Sequence, residues 1–321
     1  VVIGWFSLLA NEYKQLGWHI LGGAGFLSNF VLWQESGYFD AHADTKPFLH
    51  LWSLGIEEQF YIAFPMLTWL IWRARLNPLT LTFIIALVSF LLNLKGIDKD
   101  ATAVFYSPQT RAWELLCGSL LAWLTLYPPA MLTRLASRLD DWLGAIIHRP
   151  VPPADGRVLA NVLAFFGLLL VTYGVIRINK KLTFPGLWAL VPVLGATLLI
   201  TAGPRAWINR RLLANRVMVG FGLISFPLYL WHWPLLSFTR IMQSELPSVS
   251  IRIAAVLLSI LLAWLTYRFV ERQVRADGHT RIKVAVLVIA MVAVGAAGYL
   301  VYRKDGIESR FDFSAKEKQL I

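Results

Sequence analysis

Two adjacent carboxylates enter an apolar segment in the run HLWSLGIEEQFY, residues 50–61. Glu57 and Glu58 could act as acid or base, because ionisable groups in or beside a membrane span are costly and are functional candidates. If a helix begins near Ser53, this serine caps it, and Glu57 shares a helical face with Tyr61. The alternative is a cap with interfacial anchoring, which leaves the second glutamate unexplained. The run also supplies candidate substrate-binding residues, namely His50, Trp52, Ser53, Gln59 and Tyr61.

A second candidate group lies in SPQTRAWELLCGSLLAW, residues 107–123. Ser107 and Pro108 predict the start of a helix. Arg111 and Glu114 are three residues apart, a spacing that allows an ion pair on one helical face. Both are candidate catalytic residues, since a carboxylate one turn inside an apolar helix could orient or deprotonate a substrate. A purely structural ion pair is the alternative.

A third group lies in SFPLYLWHWPLL, residues 225–236. Pro227 and Pro234 should bend one apolar helix, which is tolerated where the bend lines a cavity. His232 is a candidate catalytic residue near the predicted outer end of this helix. An interfacial aromatic belt would explain the tryptophans well, but it explains the histidine less well. The candidate substrate-binding residues are Tyr229, Trp231 and Trp233.

A basic stretch precedes the third group. It contains Arg205, Arg210, Arg211 and Arg216. Such arginines can simply set the membrane topology. No metal site is predicted, because no helical ligand spacing such as HExxH occurs and Cys117 is the only cysteine.

The composition indicates which elements must position these groups. Of the 321 residues, 57% are hydrophobic and 15% are charged, with a mean hydropathy of +0.58. These values exclude a soluble globular enzyme, a disordered chain and a fibrous repeat, and they indicate an integral membrane protein. We attribute the net charge of +11 to basic cytoplasmic loops and predict no binding of nucleic acid.

The predicted fold is all-α, a polytopic transmembrane bundle with eight complete spans and an N-terminal partial span. Because the sequence begins inside an apolar stretch, we expect it to be cut from a longer protein. Segment 19–33 is short and rich in glycine, so it is predicted to be re-entrant or to lie on the surface. The eight predicted spans are 58–72, 79–94, 111–127, 159–176, 184–202, 217–239, 250–270 and 284–302.

The distribution of Lys and Arg predicts the orientation. These residues are about twice as dense on one side of the predicted spans as on the other, so that side is expected to be cytoplasmic. A multi-pass membrane domain would then comprise residues 1–302. Residues 303–321 would be a linker on the outer face that leads to a further domain. The basic side consists of segments 73–77, 127–158, 203–216 and 271–283.

Several runs together resemble the acyltransferase-3 family of bacterial membrane acyltransferases. The most specific is PFLHLWSLGIEEQFYIAFP, with its tryptophan-serine-leucine and double-glutamate motif. The resemblance covers nearly the whole chain in the order of the family. The five runs are residues 28–40, 47–65, 105–122, 225–234 and 269–275.

This resemblance implies transfer of an acyl group, commonly acetyl from cytoplasmic acetyl-CoA, to a carbohydrate hydroxyl. The acceptors of the family include lipopolysaccharide O-antigen, peptidoglycan and other envelope glycans, at the bacterial cytoplasmic (inner) membrane. Acyl-CoA would be a donor substrate rather than a bound cofactor. The basic stretch of Arg205, Arg210, Arg211 and Arg216 would suit its phosphates, and arginines that only set the membrane topology are the competing interpretation. The partners would be this donor, a glycan or lipid-linked saccharide, membrane lipids and a fused outer-face domain of the SGNH-hydrolase type.

The family normally opens with two further helices that carry an arginine and a histidine thought to be central to catalysis. This chain begins after both, so the 321-residue chain is expected to be inactive alone. Two other classes of protein remain open. Buried Glu, Arg and His in kinked helices also describe a proton-coupled transporter or flippase. The chain could also be a membrane scaffold for an outer-face domain.

Overall fold

The computed structural model describes residues 2–36, 43–147, 157–179, 181–243, 246–276, 278 and 280–307, which form helices and their connections and contain no strand. This confirms the predicted all-α class. The helices are α1 (Val2–Ser7), α2 (Ala10–Ala24), α3 (Ser28–Glu35), α4 (Leu51–Arg73), α5 (Pro78–Gly96), α6 (Ala101–Tyr106), α7 (Pro108–Leu126), α8 (Ala130–Ile147), α9 (Arg157–Arg177), α10 (Leu190–Ala202), α11 (Arg216–Gln243), α12 (Val249–Thr266), α13 (Arg272–Arg275) and α14 (Thr280–Arg303).

Five helical segments in the described part of the chain are long and apolar enough to cross a membrane. They are α5, α9, α11, the continuous segment Val249–Arg275 and α14; the bent pair α7 and α8 could add a sixth. The chain is therefore a multi-pass membrane protein, although eight full spans were expected. The predicted spans 58–72 and 184–202 do fall on helices. However, α4 is not among these candidates, and Gly186–Ala202 is shorter than a full span.

Segment 19–33 forms parts of two helices with a turn between them. Helix α2 ends at Ala24 and α3 begins at Ser28. The turn contains Phe26 with a positive φ of 57°. Neither helix is among the candidate spans, in agreement with a segment that was predicted not to cross the bilayer.

The first of two compact units comprises Val1–Glu58 and Leu223–Ile321. Its α2 packs against α14 at a point where glycines replace side chains. A Cβ at Gly17 would lie 2.6 Å from the carbonyl oxygen of Gly298, and a Cβ at Gly298 would lie 2.7 Å from that of Gly17. The two backbones therefore touch, as is usual where membrane helices cross at small residues.

The second unit comprises Gln59–Gly222. Its α9 and α10 cross in the same manner, since a Cβ at Gly167 would lie 2.9 Å from the Gly195 carbonyl oxygen. Helices α5 and α7 are joined by Ser89, whose hydroxyl donates to the Gln109 carbonyl at 2.6 Å and accepts the backbone N–H of Trp113 at 3.1 Å. This junction fixes the start of α7, which carries a candidate ion pair.

Two segments predicted to lie outside the spans, 127–158 and 303–321, are only partly described by the structure. Segment 127–158 was predicted as a cytoplasmic loop, yet it contains the 18-residue helix α8, bent by 89° from α7. Residues 148–156 lie outside the described residues. In the predicted linker 303–321, α14 ends at Arg303 and the chain turns through residue 307, while 308–321 lie outside the described part.

Candidate active site

The first unit contains a group of neutral polar side chains at the start of α4. Tyr229 on α11 donates its hydroxyl to the backbone carbonyl of His50. Its oxygen also lies 2.8 Å from the Ser53 hydroxyl. Tyr229 donates its single hydroxyl proton to the carbonyl, so Ser53 must be the donor in this second hydrogen bond. The expectation that Ser53 caps the helix is wrong: α4 begins two residues earlier, at Leu51, and the Ser53 side chain bonds to α11 instead.

The His50 ring is enclosed by this group. The residue is 8% exposed, and neither ring nitrogen has a hydrogen-bond partner among the described residues. Its ring centroid lies 5.0 Å from that of Tyr229 and 5.8 Å from that of His232. Burial, with a smaller contribution from His232, lowers the pKa of His50 from 6.5 to about 4. His50 is therefore neutral at neutral pH.

The hydrogen bonds of His232 define its tautomer. Its Nδ1 lies 3.1 Å from the Leu228 carbonyl oxygen and 2.9 Å from that of Tyr229. Carbonyl oxygens only accept hydrogen bonds, so Nδ1 carries a proton. In the neutral ring Nε2 is then the acceptor, with a lone pair able to take a proton from a hydroxyl.

Pro227 and Pro234 both lie within α11, as predicted.

We call the group formed by His50, Ser53, Tyr229 and His232 the neutral cluster. Glu57 lies on α4, one turn beyond Ser53, and acts electrostatically on the Tyr229 hydroxyl. It therefore borders this cluster. The other candidate residues on α4 are not part of the neutral cluster. Tyr61 is 58% exposed, and Trp52, Glu58 and Gln59 are half-buried.

The tryptophans that flank His232 have different surroundings. Trp231 is 37% exposed, and its indole N–H donates to the Thr266 hydroxyl of α12 at 3.0 Å. Trp233 donates to the carbonyl oxygen of Lys46 at 2.9 Å, in the segment that leads to His50. Trp233 thus helps to hold the neutral cluster in place, while Trp231 is directed to another helix.

Sequence reasoning missed a second polar group in the first unit, formed by His19, Glu35 and Lys46. The Glu35 carboxylate is 2.8 Å from His19 Nε2 and 3.0 Å from Lys46 Nζ. Burial raises the pKa of Glu35, but hydrogen bonds and charges from His19 and Lys46 outweigh it and leave that pKa below its usual value. A lone histidine and a lone lysine in segments predicted to be loop or re-entrant were the available signals.

In the second unit, Arg111 and Glu114 form the predicted ion pair. Their nitrogen and oxygen atoms are 2.8 Å apart, and the side chains are 11% and 19% exposed. The guanidinium carbon also lies 5.6 Å from the ring centroids of both Phe105 and Phe184. One oxygen of Glu114, Oε1, is buried without a partner among the described residues, so this carboxylate is held at one oxygen and retains a second acceptor.

The arginines proposed for coenzyme A lie around the connection between α10 and α11. Arg205, Arg210, Arg211 and Arg216 are all exposed, which suits phosphates and topology-setting equally. Asn209 shapes this connection by donating to the carbonyls of Leu199 and Gly203. In the part of the chain that the structure describes, no group of three His, Cys, Asp or Glu residues is suited to a metal ion.

The fold and these groups define a multi-pass, all-helical membrane protein with hydroxyl, imidazole and carboxylate groups in its described part. Sequence comparison identifies the particular family. The sequence model of the family described as "Acyltransferase domain", the acyltransferase-3 family, matches residues 1–268. The chain therefore belongs to the acyltransferase-3 family.

Two relatives from Staphylococcus aureus support this assignment. O-acetyltransferase OatA of strain NCTC 8325 is 27% identical over 260 residues, which is 79% of this chain and 40% of the relative. The protein named "Putative O-acetyltransferase SACOL0978" of strain COL is 28% identical over 295 residues, or 87% of this chain and 45% of that protein. The chain thus spans less than half the length of these relatives. No solved structure matches it.

Proposed function

We propose that this chain is the membrane part of an O-acyltransferase that moves an acetyl group from cytoplasmic acyl-CoA to a hydroxyl of an envelope glycan, such as lipopolysaccharide O-antigen. The observation that carries the proposal is the half-buried imidazole of His232, whose Nδ1 is held by two backbone carbonyls, in a chain of the acyltransferase-3 family. The names of its relatives support acetyl as the transferred group. The inner membrane is the proposed location, with the C-terminal tail on the outer face.

His232 is the proposed general base. The Nδ1 proton is held by two backbone carbonyls, so Nε2 can accept the proton of the glycan hydroxyl. The hydroxyl oxygen attacks the carbonyl carbon of the thioester, a carbon–oxygen bond forms and the carbon–sulfur bond breaks. The departing thiolate recovers the proton from His232. A positioned base of this type contributes roughly 10²–10⁴-fold to a rate.

His50 and Glu57 are proposed to bind the acceptor. The unpartnered nitrogens of His50 can donate one hydrogen bond and accept another, which suits a sugar hydroxyl. Tyr229 holds His50 by its backbone, so the ring remains beside His232 at 5.8 Å. In the second unit, Arg111 and Glu114 are proposed to orient a substrate through the free Glu114 oxygen, and the exposed arginines of the α10–α11 connection are proposed to bind donor phosphates.

The test is base-labile acetate on envelope glycans, measured by mass spectrometry in the native strain. We compare a strain that lacks the gene with strains that carry the wild-type gene, His232→Gln or Ser259→Ala. Ser259 is the matched control, because it is fully buried and its hydroxyl donates to the Ala255 carbonyl within α12. The deletion and His232→Gln are expected to lose acetate, while Ser259→Ala is expected to retain it.

Two outcomes would contradict the proposal. Unchanged acetylation with reduced glycan export in the deletion strain would favour a transporter. Wild-type acetylation by His232→Gln, at a normal amount of protein, would remove the general-base role. Glu114→Gln serves as a further test, since a scaffold would tolerate this change whereas a substrate-orienting carboxylate would not.

A further inference from the structure

Helix α8 in the second unit has an apolar face that the described residues leave exposed. At 100° per residue its large apolar side chains fall on one side of the helix. Their exposed fractions range from 40% to 80%. These residues are Met131, Leu132, Leu135, Leu139, Trp142 and Ile146.

The opposite part of α8 is held by the protein. Asp140 is 4% exposed, and its carboxylate accepts the backbone N–H of Leu159 on α9 at 2.7 Å. Gly144, one turn further, is also buried. This attachment places α8 against the start of α9 and leaves the apolar face directed away from it.

The charges of α8 border the apolar face on one side. Arg134 and Arg138 are four residues apart and exposed, and they lie next to Met131 on the helical circumference. Because Asp140 is engaged with α9, the exposed charges are these two arginines and Asp141. An apolar face with arginines at its edge is the pattern of helices that lie in a membrane interface, where long basic side chains reach the lipid phosphates.

The direction of α8 fits the same interpretation. Helix α7 has 19 residues and would be about 28 Å long, close to the thickness of the hydrocarbon core. After Tyr127, two prolines stop it, since the residue before a proline is pushed out of the helical conformation. Helix α8 then leaves at 89°. Helix α7 has the hydropathy of a span only together with α8; if α7 crosses the bilayer, α8 at 89° to it lies parallel to the membrane surface.

We propose that α8 is an in-plane helix bound to anionic lipid, with its apolar face among the acyl chains and with Arg134 and Arg138 against lipid phosphates. Helices α7 and α8 together have the length and hydropathy of one broken span, but α8 itself carries four charged residues in 18, which favours the interface over the hydrocarbon core. The assigned surface binds lipid rather than substrate, so it is independent of the acyl-transfer proposal.

Spin labels on the protein in lipid nanodiscs test the placement of α8. The native cysteine is removed by Cys117→Ser, and single cysteines are introduced as Leu135→Cys on the apolar face and Ser137→Cys on the polar face. The label at 135 is expected to collide with oxygen, which concentrates among acyl chains, and to avoid a water-soluble nickel chelate. The label at 137 is expected to show the reverse. Equal nickel access at both positions would overturn the proposal, and so would a label at 135 shielded from both reagents, because protein would then cover the face.

A second measurement tests the lipid phosphates. The ratio of phosphatidylglycerol to phosphatidylcholine retained by the purified protein is measured by native mass spectrometry. Each basic residue at an anionic surface contributes roughly fivefold to affinity, so the double variant Arg134→Gln/Arg138→Gln should lower the ratio by about tenfold or more. The control Lys95→Gln/Lys99→Gln removes the same charge from exposed positions at the end of α5 and should preserve it. An unchanged ratio in the first variant, or an equal fall in both, would overturn the role of the arginines.

Discussion

The neutral cluster of the first unit and the ion pair of the second unit place polar groups in apolar surroundings by opposite means. In the neutral cluster, His50 avoids charge because burial lowers its pKa to about 4, and hydroxyl and carbonyl groups satisfy one another. In the ion pair, Arg111 and Glu114 face each other at 2.8 Å, and two phenylalanine rings lie within cation–π distance of the guanidinium.

This difference bears on what each group can do. An imidazole with an available lone pair can accept a proton from a hydroxyl and return it to a leaving group. A carboxylate held by an arginine has a fixed direction and is better suited to orienting a ligand. The neutral cluster is therefore expected to respond to protonation, and the ion pair to the loss of one partner.

The largest expected effect follows the removal of one member of the ion pair. Glu114→Ala leaves the Arg111 guanidinium largely buried without its counter-charge, which costs about 3–5 kcal/mol in the free energy of unfolding. The double variant Arg111→Met/Glu114→Met should recover most of this loss, since no buried charge remains. Unfolding of the purified protein in detergent measures both.

The control for this experiment is an exposed ion pair. Lys14 and Asp305 are 2.7 Å apart, with side chains 36% and 70% exposed, and solvent screens such pairs. Lys14→Met should leave unfolding unchanged. A double variant at the buried pair that is as unstable as Glu114→Ala would show that packing, and not unpaired charge, causes the loss.

The next effect is a pH dependence from the neutral cluster. In the unfolded chain His50 titrates near 6.5, and in the folded protein near 4. Between these values the unfolded chain binds more protons, so stability is full above pH 6.5 and falls as the pH is lowered to about 4. The shift corresponds to about 3 kcal/mol at one group.

The measurement is the difference in melting temperature between the wild type and His50→Gln at a series of pH values. Other groups, such as Glu35, titrate in both proteins and cancel in this difference. The advantage of the wild type should shrink as the pH falls from 6.5 to 4. A difference that stays constant over this range would mean that His50 is not the titrating group.

The sequence predicted the ion pair far better than the neutral cluster. Arg111 and Glu114 are three residues apart in one helix, so helical geometry alone brings them together. Ser53 and Tyr229 are 176 residues apart, and no local rule indicates their contact. The local rule for a serine at a helix start instead predicted a cap, which was wrong because the serine bonds to α11.

The membrane elements show a similar limit. Long apolar segments such as α5 and α14 could be read directly from composition, because the bilayer requires their length and hydropathy. Helix α8 was missed because its apolar residues repeat at helical spacing between charges, which resembles a loop when only charge is counted. His19, Glu35 and Lys46 were missed for another reason: each is unremarkable in its own segment, and only the fold joins them.

A smaller effect is expected for Tyr229→Phe, which sharpens the description of the neutral cluster. The variant leaves the His50 carbonyl without its tyrosine donor and the Ser53 hydroxyl without its acceptor, at a cost of about 1–2 kcal/mol in the free energy of unfolding. Tyr173→Phe is the control, because Tyr173 is 44% exposed. Equal stability of Tyr229→Phe and the wild type would contradict the hydrogen-bond assignment.

The smallest effect is expected for Trp231→Phe, which separates this tryptophan from its neighbour His232. The variant loses the indole hydrogen bond to Thr266 at a partly exposed position, at a cost of about 0.5–1 kcal/mol. Thr266→Val removes the same bond from the other side. If that bond is the interaction lost, the double variant should be only slightly less stable than either single variant, and unfolding of the three proteins measures this coupling. Fully additive losses would show that Trp231 stabilises the protein through other contacts. A loss of stability as large as that of Tyr229→Phe would show that Trp231 also supports the neutral cluster.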